Sequence, residues 1–512
     1  MKKSFVLLLT LVLLISGTAY YAQGEILKEK DQVHYTETVL YGDKSVVDGV
    51  TVDVKLGYDY HLYWNTTYEI GQNPKEQTEY NFYPWYHQNY DGRYVGSLSF
   101  MLNSRDISVD NIQFESGKEF TGMSAAFYEL YKKTEPGESK VEVIHLKDYV
   151  EYYEFDLDLS LPRETNAPVM YTYDYYNAQE IKEAIEKLEE SGKNEEQLKG
   201  YQECLRILEE FHTFFKIPVL ETELSAIGLA KDKNGAVTGW AVSNAYGGSS
   251  SGNMGFIERP ELQVADVFDF YIMNIYDNGT CYFTFDPYTR DEKLVDVSLI
   301  PGGYGIFSFE YDVETARIDA ESLHTEYVWN PEERIVDMRL DASGKNILLF
   351  TQDASKYRLN IIAKDTMTLV DTYEIGSKDC YLSSWVYEDF LVVVGENLIV
   401  FEIEEKGQYT QVLSLNKENL QKNIPENEYE LNFLTWSCCF DWNGETLVMT
   451  NRMYRKDEYR GMNTSNFCVA AVDKTGLLYC GRYDSSLDTR DTMYAGCYIN
   501  VDEENPIQIH WK

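Results

Sequence analysis

The residues best suited to hold a ligand crowd into one stretch near the N-terminus. Tyr58, Tyr60, Tyr63, Trp64 and Tyr68 are followed by Tyr80, Phe82, Tyr83, Trp85, Tyr86, Tyr90 and Tyr94, interleaved with His61, Asn65, Asn81, His87, Gln88, Asn89, Asp91 and Arg93. Flat rings beside amides and charges suit a sugar ring or a peptide: a rigid ring supplies contact area at low entropic cost, and the polar edge fixes orientation. Residues 80–93 read as loop rather than strand, so the candidate ligand-binding set is Trp64, Tyr83, Trp85, Tyr86, His87 and Arg93. The competing reading is plain packing between strands, in a chain with 43 tyrosines.

No pattern names a catalytic residue. Gly248-Ser-Ser-Ser-Gly252 matches G-x-S-x-G in form, but a nucleophile elbow needs a strand, a sharp turn and then a helix. This serine sits in a glycine-rich run before Pro260 and is expected to be loop. Asp156 and Asp158, two apart on a predicted strand, share a face, and with Glu151 and Glu154 they come nearest to a glycosidase carboxylate pair. Among 85 acidic residues a solvated face is the default. The seven histidines, His34, His61, His87, His145, His212, His324 and His510, show no H-x-H or H-x-x-x-H spacing for zinc. The turns Asp441-Trp-Asn443-Gly-Glu445 and Asp341-Ala-Ser343-Gly-Lys-Asn346 alternate oxygen ligands as calcium loops do. They lack the full acidic run and the distant Glu, so the expectation is no cofactor, with weak calcium binding as the one metal option.

Charge removes whole classes of partner. Forty-five Lys+Arg against 85 Asp+Glu give a net charge of −40 over 512 residues. Nucleic acid requires clustered cations, and anionic lipid repels such a chain. One basic loop, Arg452 to Asn466 with Arg452, Arg455, Lys456 and Arg460, stands out and could meet an acidic partner or wall polymer. At 44% hydrophobic and 14% aromatic the chain can bury a large core.

The first residues carry an address. Lys2 and Lys3 precede an apolar run from Phe5 to Ile15 and the small group Ser16-Gly17-Thr18-Ala19, the order of an export leader with Gly17 and Ala19 at the cleavage positions. The uncharged stretch from Ser4 to Gly24 also reaches the roughly 20 residues that span a bilayer, so residues 1–23 are either a cleaved signal peptide or an anchor. Both place the body outside the cytoplasm, secreted or held on the outer face of the cytoplasmic membrane, with membrane contact only through an uncleaved leader. Eight cysteines, Cys204, Cys281, Cys380, Cys438, Cys439, Cys468, Cys480 and Cys497, show no C-x-x-C pair. They read as buried small apolar residues, with one or two bridges as the alternative.

Short strands and tight turns must position all of this. Arg334–Leu340, Ile347–Phe350, Tyr357–Ala363 and Thr368–Ile375 make four antiparallel strands in about 40 residues, the size of one propeller blade. Ser383–Val386, Phe390–Val394, Leu398–Ile403 and Thr410–Leu415 repeat the pattern, as do Phe433–Phe440, Thr446–Arg452, Phe467–Val472 and Leu477–Tyr483. Turns beginning at Asp232, Asp341, Asp441 and Asp473 share D-x-x-G, and Asp277-Asn-Gly279 is a shorter relative. Asp can bond its own backbone two residues on and Gly accepts positive φ. Tyr494–Val501 and Pro506–Trp511 leave half a blade at the C-terminus, for which Val33–Leu40 is the closing strand expected from the N-terminus. Residues 24–176 are β-rich and are assigned to the first blades, a separate sandwich being the alternative. Residues 177–216 break the pattern: Ile181, Ala184, Ile185 and Leu188, then Leu198, Tyr201, Leu205, Leu208, Phe211 and Phe215, fall at helical spacing, bounded by Gly192 and Pro218. They predict a helical hairpin inserted before the remaining blades in 217–512.

The four-strand units, the D-x-x-G turns and the unfinished last blade resemble the β-propeller superfamily, without the Trp-Asp endings and Gly-His starts of WD40 blades. The leader and the acidic, Tyr-rich body resemble secreted or envelope proteins of Gram-positive anaerobes. The expected fold is all-β, a β-propeller of about seven or eight four-stranded blades with the inserted hairpin. Since propellers host unrelated functions, the resemblance carries no catalytic residue over. The expected role is non-catalytic recognition of a glycan or peptide at the cell envelope, more an adaptor than an enzyme. The rivals are a glycan-cleaving hydrolase or lyase on the same ring, and an assembly protein docking another protein through the hairpin.

Overall fold

A computed structural model describes residues 14–18, 20–21, 24, 34–58, 62–82, 97–102, 120, 122–153, 155–160, 178–192, 194–244, 247–254, 272–288, 293–313, 317–404, 407–422, 429–430, 438–452, 454–455, 466–486, 497–499 and 507–512. Two compact units divide it: Tyr94–Glu374, and Met1–Arg93 together with Ile375–Lys512.

Three four-stranded antiparallel sheets form within the first of these units. The first sheet joins Ser139–His145, Leu224–Lys231, Val237–Asn244 and Gly247–Gly252; the second joins Ile272–Asp277, Thr280–Phe285, Gly305–Asp312 and Arg317–Val328; the third joins Arg334–Leu340, Asn346–Gln352, Lys356–Ala363 and Thr368–Ser377. Each is a meander in chain order. Burial explains the sequence pattern: Asn346–Thr351 of the third sheet is buried residue by residue, whereas Thr368–Thr372 is exposed. A middle strand covered on both faces reads as a continuous apolar run, and an outer strand does not.

The hairpin consists of α2 (Ala178–Ser191) and α3 (Glu195–Phe214), preceded in the chain by α1 (Gly122–Lys133). Its apolar stripe is consumed at home. Phe211 and Phe215 are buried against the second sheet, Phe215 edge-on to Phe283, Phe285 and Phe307 at 5.9, 6.0 and 5.1 Å. Ile181, Ile207 and Leu208 complete that core. Helix α1 was not foreseen, although Met123, Ala126, Phe127, Leu130 and Tyr131 recur at helical spacing. Phe127 and Leu130 pack against Ile227, Leu229 and Trp240 of the first sheet.

Among the described residues the second unit holds three more sheets of four or more strands. Ser383–Val386, Phe390–Val394, Asn397–Ile403 and Tyr409–Asn416 form the fourth; Cys439–Trp442, Leu447–Arg452, Phe467–Asp473 and Gly476–Ser485 form the fifth, with Tyr35–Gly42 added as an outer strand. The sixth centres on Val50–Tyr58, which pairs with Leu62–Glu69 and also with Cys497–Ile499 and Ile507–Trp511; Lys75–Phe82 is its outer strand. Here the expected closing strand is corrected. Val33–Leu40 does not meet the C-terminal strand; Tyr35–Gly42 pairs with Gly476–Ser485, and Val50–Val54 pairs with Ile507–Trp511. The sequence cue was equivocal because both segments are β-prone, but Val50, Val52, Val54 and Leu56 alternate and are fully buried, which suits an inner strand better than Thr36, Val39 and Tyr41, all solvent-facing.

Among the described residues, six antiparallel sheets of four or more strands, each built around a meander, give an all-β fold of the β-propeller type with an inserted helical hairpin. Two local expectations change. Gly247–Gly252 is a strand, paired residue for residue with Gly239–Asn244, rather than a loop. The strand expected at Tyr149–Leu161 is confined to Phe155–Ser160. Turns behave as their residues require: Gly235, Gly344, Gly444 and Gly476 all have positive φ, and Asp232 Oδ1 accepts from the N–H groups of Asn234 and Ala236. Asp441 is the exception. Its Oδ2 accepts from Trp511 N–H at 2.6 Å, tying the C-terminal strand to the fifth sheet, while Asn443 makes the turn.

Candidate functional site

The aromatic stretch separates into a packed part and a part outside the described residues. Trp64 is 2% exposed and lies against Tyr80 with ring centres 5.8 Å apart; Tyr63 and Tyr68 are also buried, Tyr68 edge-on to Tyr483. Trp64 is therefore corrected from ligand contact to core, since a ring without solvent-facing area cannot stack on an incoming sugar. Alternation along Leu62–Glu69 turns Trp64, Thr66 and Tyr68 to the covered face. Tyr83, Trp85, Tyr86, His87 and Arg93 lie outside the described residues. Asp156 and Asp158 fall on Phe155–Ser160, and most of the basic loop from Arg452 also lies outside the description.

A different constellation forms where the second and third sheets present the same end of their strands. In an antiparallel meander the end of the second strand, the start of the third, the end of the fourth and the start of the next sheet's first strand emerge on one side. Those positions are Phe285, Gly305, Val328 and Arg334, and the long connection from Asp286 to Tyr304 leaves from there. Arg334 donates through Nε to both oxygens of Asp286, at 3.2 and 3.0 Å, and through Nη2 to Oδ2. Its guanidinium lies 5.2 Å from the Tyr288 ring centre. The Tyr288 hydroxyl donates to Glu332 O at 3.1 Å, and its N–H donates to Asp286 Oδ1.

A second guanidinium, Arg358, belongs to the third strand of the same sheet and aligns with Thr351 and Ile335 rather than with Arg334. Arg358 donates to Glu333 Oε1 at 2.6 Å and also to Asp353. Glu333 is fixed by a chain of polar groups crossing the third sheet, buried at Thr351 and Asn360 and ending on the exposed outer strand: Thr351 donates to Glu333 at 3.0 Å, Asn360 to Thr351 at 2.9 Å, and Thr372 to Asn360 at 2.9 Å. Such forks hold geometry more tightly than a lysine could. Tyr304, fully buried, donates to Phe285 O, and Trp329 N–H donates to Tyr304 O at 2.7 Å, so the connection is pinned at its base.

The surroundings move the two aspartates in opposite directions. Burial raises the Asp286 carboxyl above the usual aspartate value, against the opposing pull of Arg334 and of the Tyr288 N–H. Asp353 is pushed down to about 2, chiefly by the Ser355 N–H and further by Lys356 N–H and Arg358. Asp353 is thus anionic throughout the neutral range, and Asp286 has both oxygens on a guanidinium.

Other chemistry-bearing groups serve the structure. Trp442 Nε1 donates to Glu402 at 2.8 Å, and the Tyr387 hydroxyl accepts from Phe440 N–H at 2.9 Å. Asp341 accepts from Asn346, Ser343 and Lys345, which organise its turn. His34, His145 and His324 contact Glu76, Glu221 O and Glu326 separately, and among the described residues no group of three His, Cys, Asp or Glu is placed to hold a metal. Cys204, Cys281, Cys380, Cys468 and Cys480 are free thiols, and burial pushes Cys204 and Cys480 up to about 12. No helix among the described residues is long and apolar enough to cross a membrane.

Sequence reasoning missed Asp286, Arg334, Glu333 and Arg358. The available signal was weak: an Asp-Pro-Tyr directly after a strand and an Arg at or near the opening of two others.

No protein-family model matches this chain. No curated protein matches it either. Solved structures with partial likeness include a protein from Lactobacillus plantarum, 13% identical over 51% of this chain and 68% of that one, with a TM-score of 0.24. A luciferin-regenerating enzyme is 8% identical over 51% and 87%, at 0.22. A putative 6-phosphogluconolactonase from Bacteroides uniformis is 12% identical over 50% and 82%, at 0.20. Likenesses this slight add nothing to the fold read from the sheets themselves.

Proposed function

We propose that this chain is a non-catalytic recognition protein that works outside the cytoplasm, at the cell envelope, and takes a glycan or peptide ligand. The observation that carries this reading is the cluster at Asp286: Arg334, holding both oxygens of that carboxylate, lies beside the Tyr288 ring on the loop-bearing end of two successive sheets. Loops on a rigid scaffold are where binding groups concentrate. Acceptors frozen in place suit a ligand's hydroxyls or amide N–H groups, and a flat ring suits its apolar face. The leader supports the location, and Trp85, Tyr86, Tyr83, His87 and Arg93 remain proposed ligand contacts. The hairpin reading loses weight, because its apolar stripe already packs against the second sheet.

Calorimetric titration of the full chain with wall-glycan fragments and surface-protein peptides tests this. Saturable binding that Tyr288→Ala or Trp85→Ala weakens by about tenfold, or 1.4 kcal/mol, is the expected result. Binding indifferent to both substitutions would remove the assigned surface.

A further inference from the structure

The chain has three Asn-Gly steps, Asn234-Gly235, Asn278-Gly279 and Asn443-Gly444, each in a turn between strands. The pair is chemically labile, because glycine has no side chain to keep its amide nitrogen away from the asparagine Cγ. In every case the backbone must first rotate to bring the two atoms together. What else must break differs from turn to turn.

Two of the turns hold a reacting group. Gly235 N–H donates to Asp232 O at 3.0 Å, so that nucleophile is committed to its turn. Asn443 Oδ1 accepts from the N–H groups of Glu445 and Thr446, at 3.0 and 2.9 Å, so that side chain is clamped. Asn278 and Gly279 form the whole of a two-residue hairpin loop, closed by the pairing of Asp277 with Thr280, with φ of +46° and +87°. Among the described residues no hydrogen bond takes up the Gly279 N–H or the Asn278 side-chain oxygen; only the Asn278 amide nitrogen is engaged, donating to Asp277 Oδ1 at 2.9 Å. Asn278 is exposed to water.

We propose that Asn278 is the site at which the folded protein modifies itself, losing ammonia to become aspartate or isoaspartate. The Gly279 nitrogen gives its proton to solvent hydroxide and attacks Asn278 Cγ. That C–N bond forms as the Cγ–Nδ2 bond breaks, and the leaving nitrogen takes a proton from water and departs as ammonia. Water then opens the cyclic imide at one carbonyl or the other, giving aspartate or isoaspartate. The net change is one water taken up and one ammonia released. The position gives the change a structural consequence. Asp277 Oδ2 pairs with Lys364, both side chains largely buried, and so ties the second sheet to the turn after the third strand of the third. Isoaspartate lengthens the loop by one backbone atom, which the closure of Asp277 on Thr280 does not accommodate. The modified chain therefore loses the tie.

The test incubates the full chain, folded and in parallel unfolded in guanidinium chloride, in neutral and mildly alkaline buffer, and follows the three peptides by mass spectrometry. Unfolded, the three asparagines should convert at similar rates, since glycine follows each. Folded, Asn278 should convert about fivefold faster than Asn234 or Asn443, the factor for one hydrogen bond that must break first, and alkali should speed it. A folded chain in which Asn278 stays intact, in which either other site leads, or in which the three keep their unfolded ratio overturns the inference. Aged protein should also unfold at a lower urea midpoint than fresh Asn278→Asp, which carries the new charge without the longer backbone. Equal midpoints would overturn the proposed loss of the Asp277–Lys364 tie.

Discussion

Arg334 and Arg358 show how a strongly acidic chain uses its few cations: each is spent holding carboxylates in place at the end of a sheet. Removing a carboxylate should leave a half-buried guanidinium uncompensated. Asp286→Ala is therefore expected to destabilise its unit by about 2 kcal/mol, less than the 3–5 of a fully buried pair, read from the urea midpoint. Asp353 adds a pH signature. Its folded value lies at about 2, below the roughly 3.9 of an unfolded aspartate. The stabilisation is fully present above that unfolded value and is lost as pH falls from about 4 towards 2. Melting curves across that window should show a shallower acid decline for Asp353→Ala than for the native chain, and parallel declines would refute the assignment. At this scale sequence reading was weakest. Trp64 looked like a ligand contact because residue type alone cannot say which face of a strand is covered, and Asp286 and Arg334 lie 48 positions apart, so nothing local announces their pairing.

Elements were far more legible. Arg334–Leu340 and Ser383–Val386 emerge with the expected boundaries; for the first, an apolar run closed by the Asp341-x-x-Gly344 turn leaves the backbone few choices. The helical hairpin was equally readable from its 3.6-residue stripe. Helix α1 escaped notice because the segment before it is strand-like, and Gly247–Gly252 escaped because glycine and serine carry no β signature, so their strand is dictated by pairing with Gly239–Asn244. Packing of the hairpin on the second sheet makes a firm prediction. Phe215→Ala should cost about 3–5 kcal/mol, whereas Lys199→Ala, on the exposed face, should change the unfolding free energy by no more than about 0.5. Equal effects would mean that α3 does not dock as described.

Across the molecule, residues from both chain ends share sheets. Val50, Val52 and Val54, all fully buried, lie beside Ile507 and Ile509, and Asp441 caps the arrangement through Trp511 N–H. Deleting residues 507–512 should open this edge, lowering the melting temperature and exposing residues 50–58 to protease, and unchanged resistance would contradict the pairing. The general scheme of chain-end pairing was readable from the sequence, but the partner was not, because two successive β-prone segments compete and only burial separates them. The claim on which the whole account turns is recognition without bond cleavage. Its most direct measurement is mass spectrometry of bound ligand, glycan or peptide, after prolonged incubation with saturating protein. The account predicts that the ligand is recovered intact with its affinity measurable throughout; fragments accumulating in proportion to protein and time would contradict it.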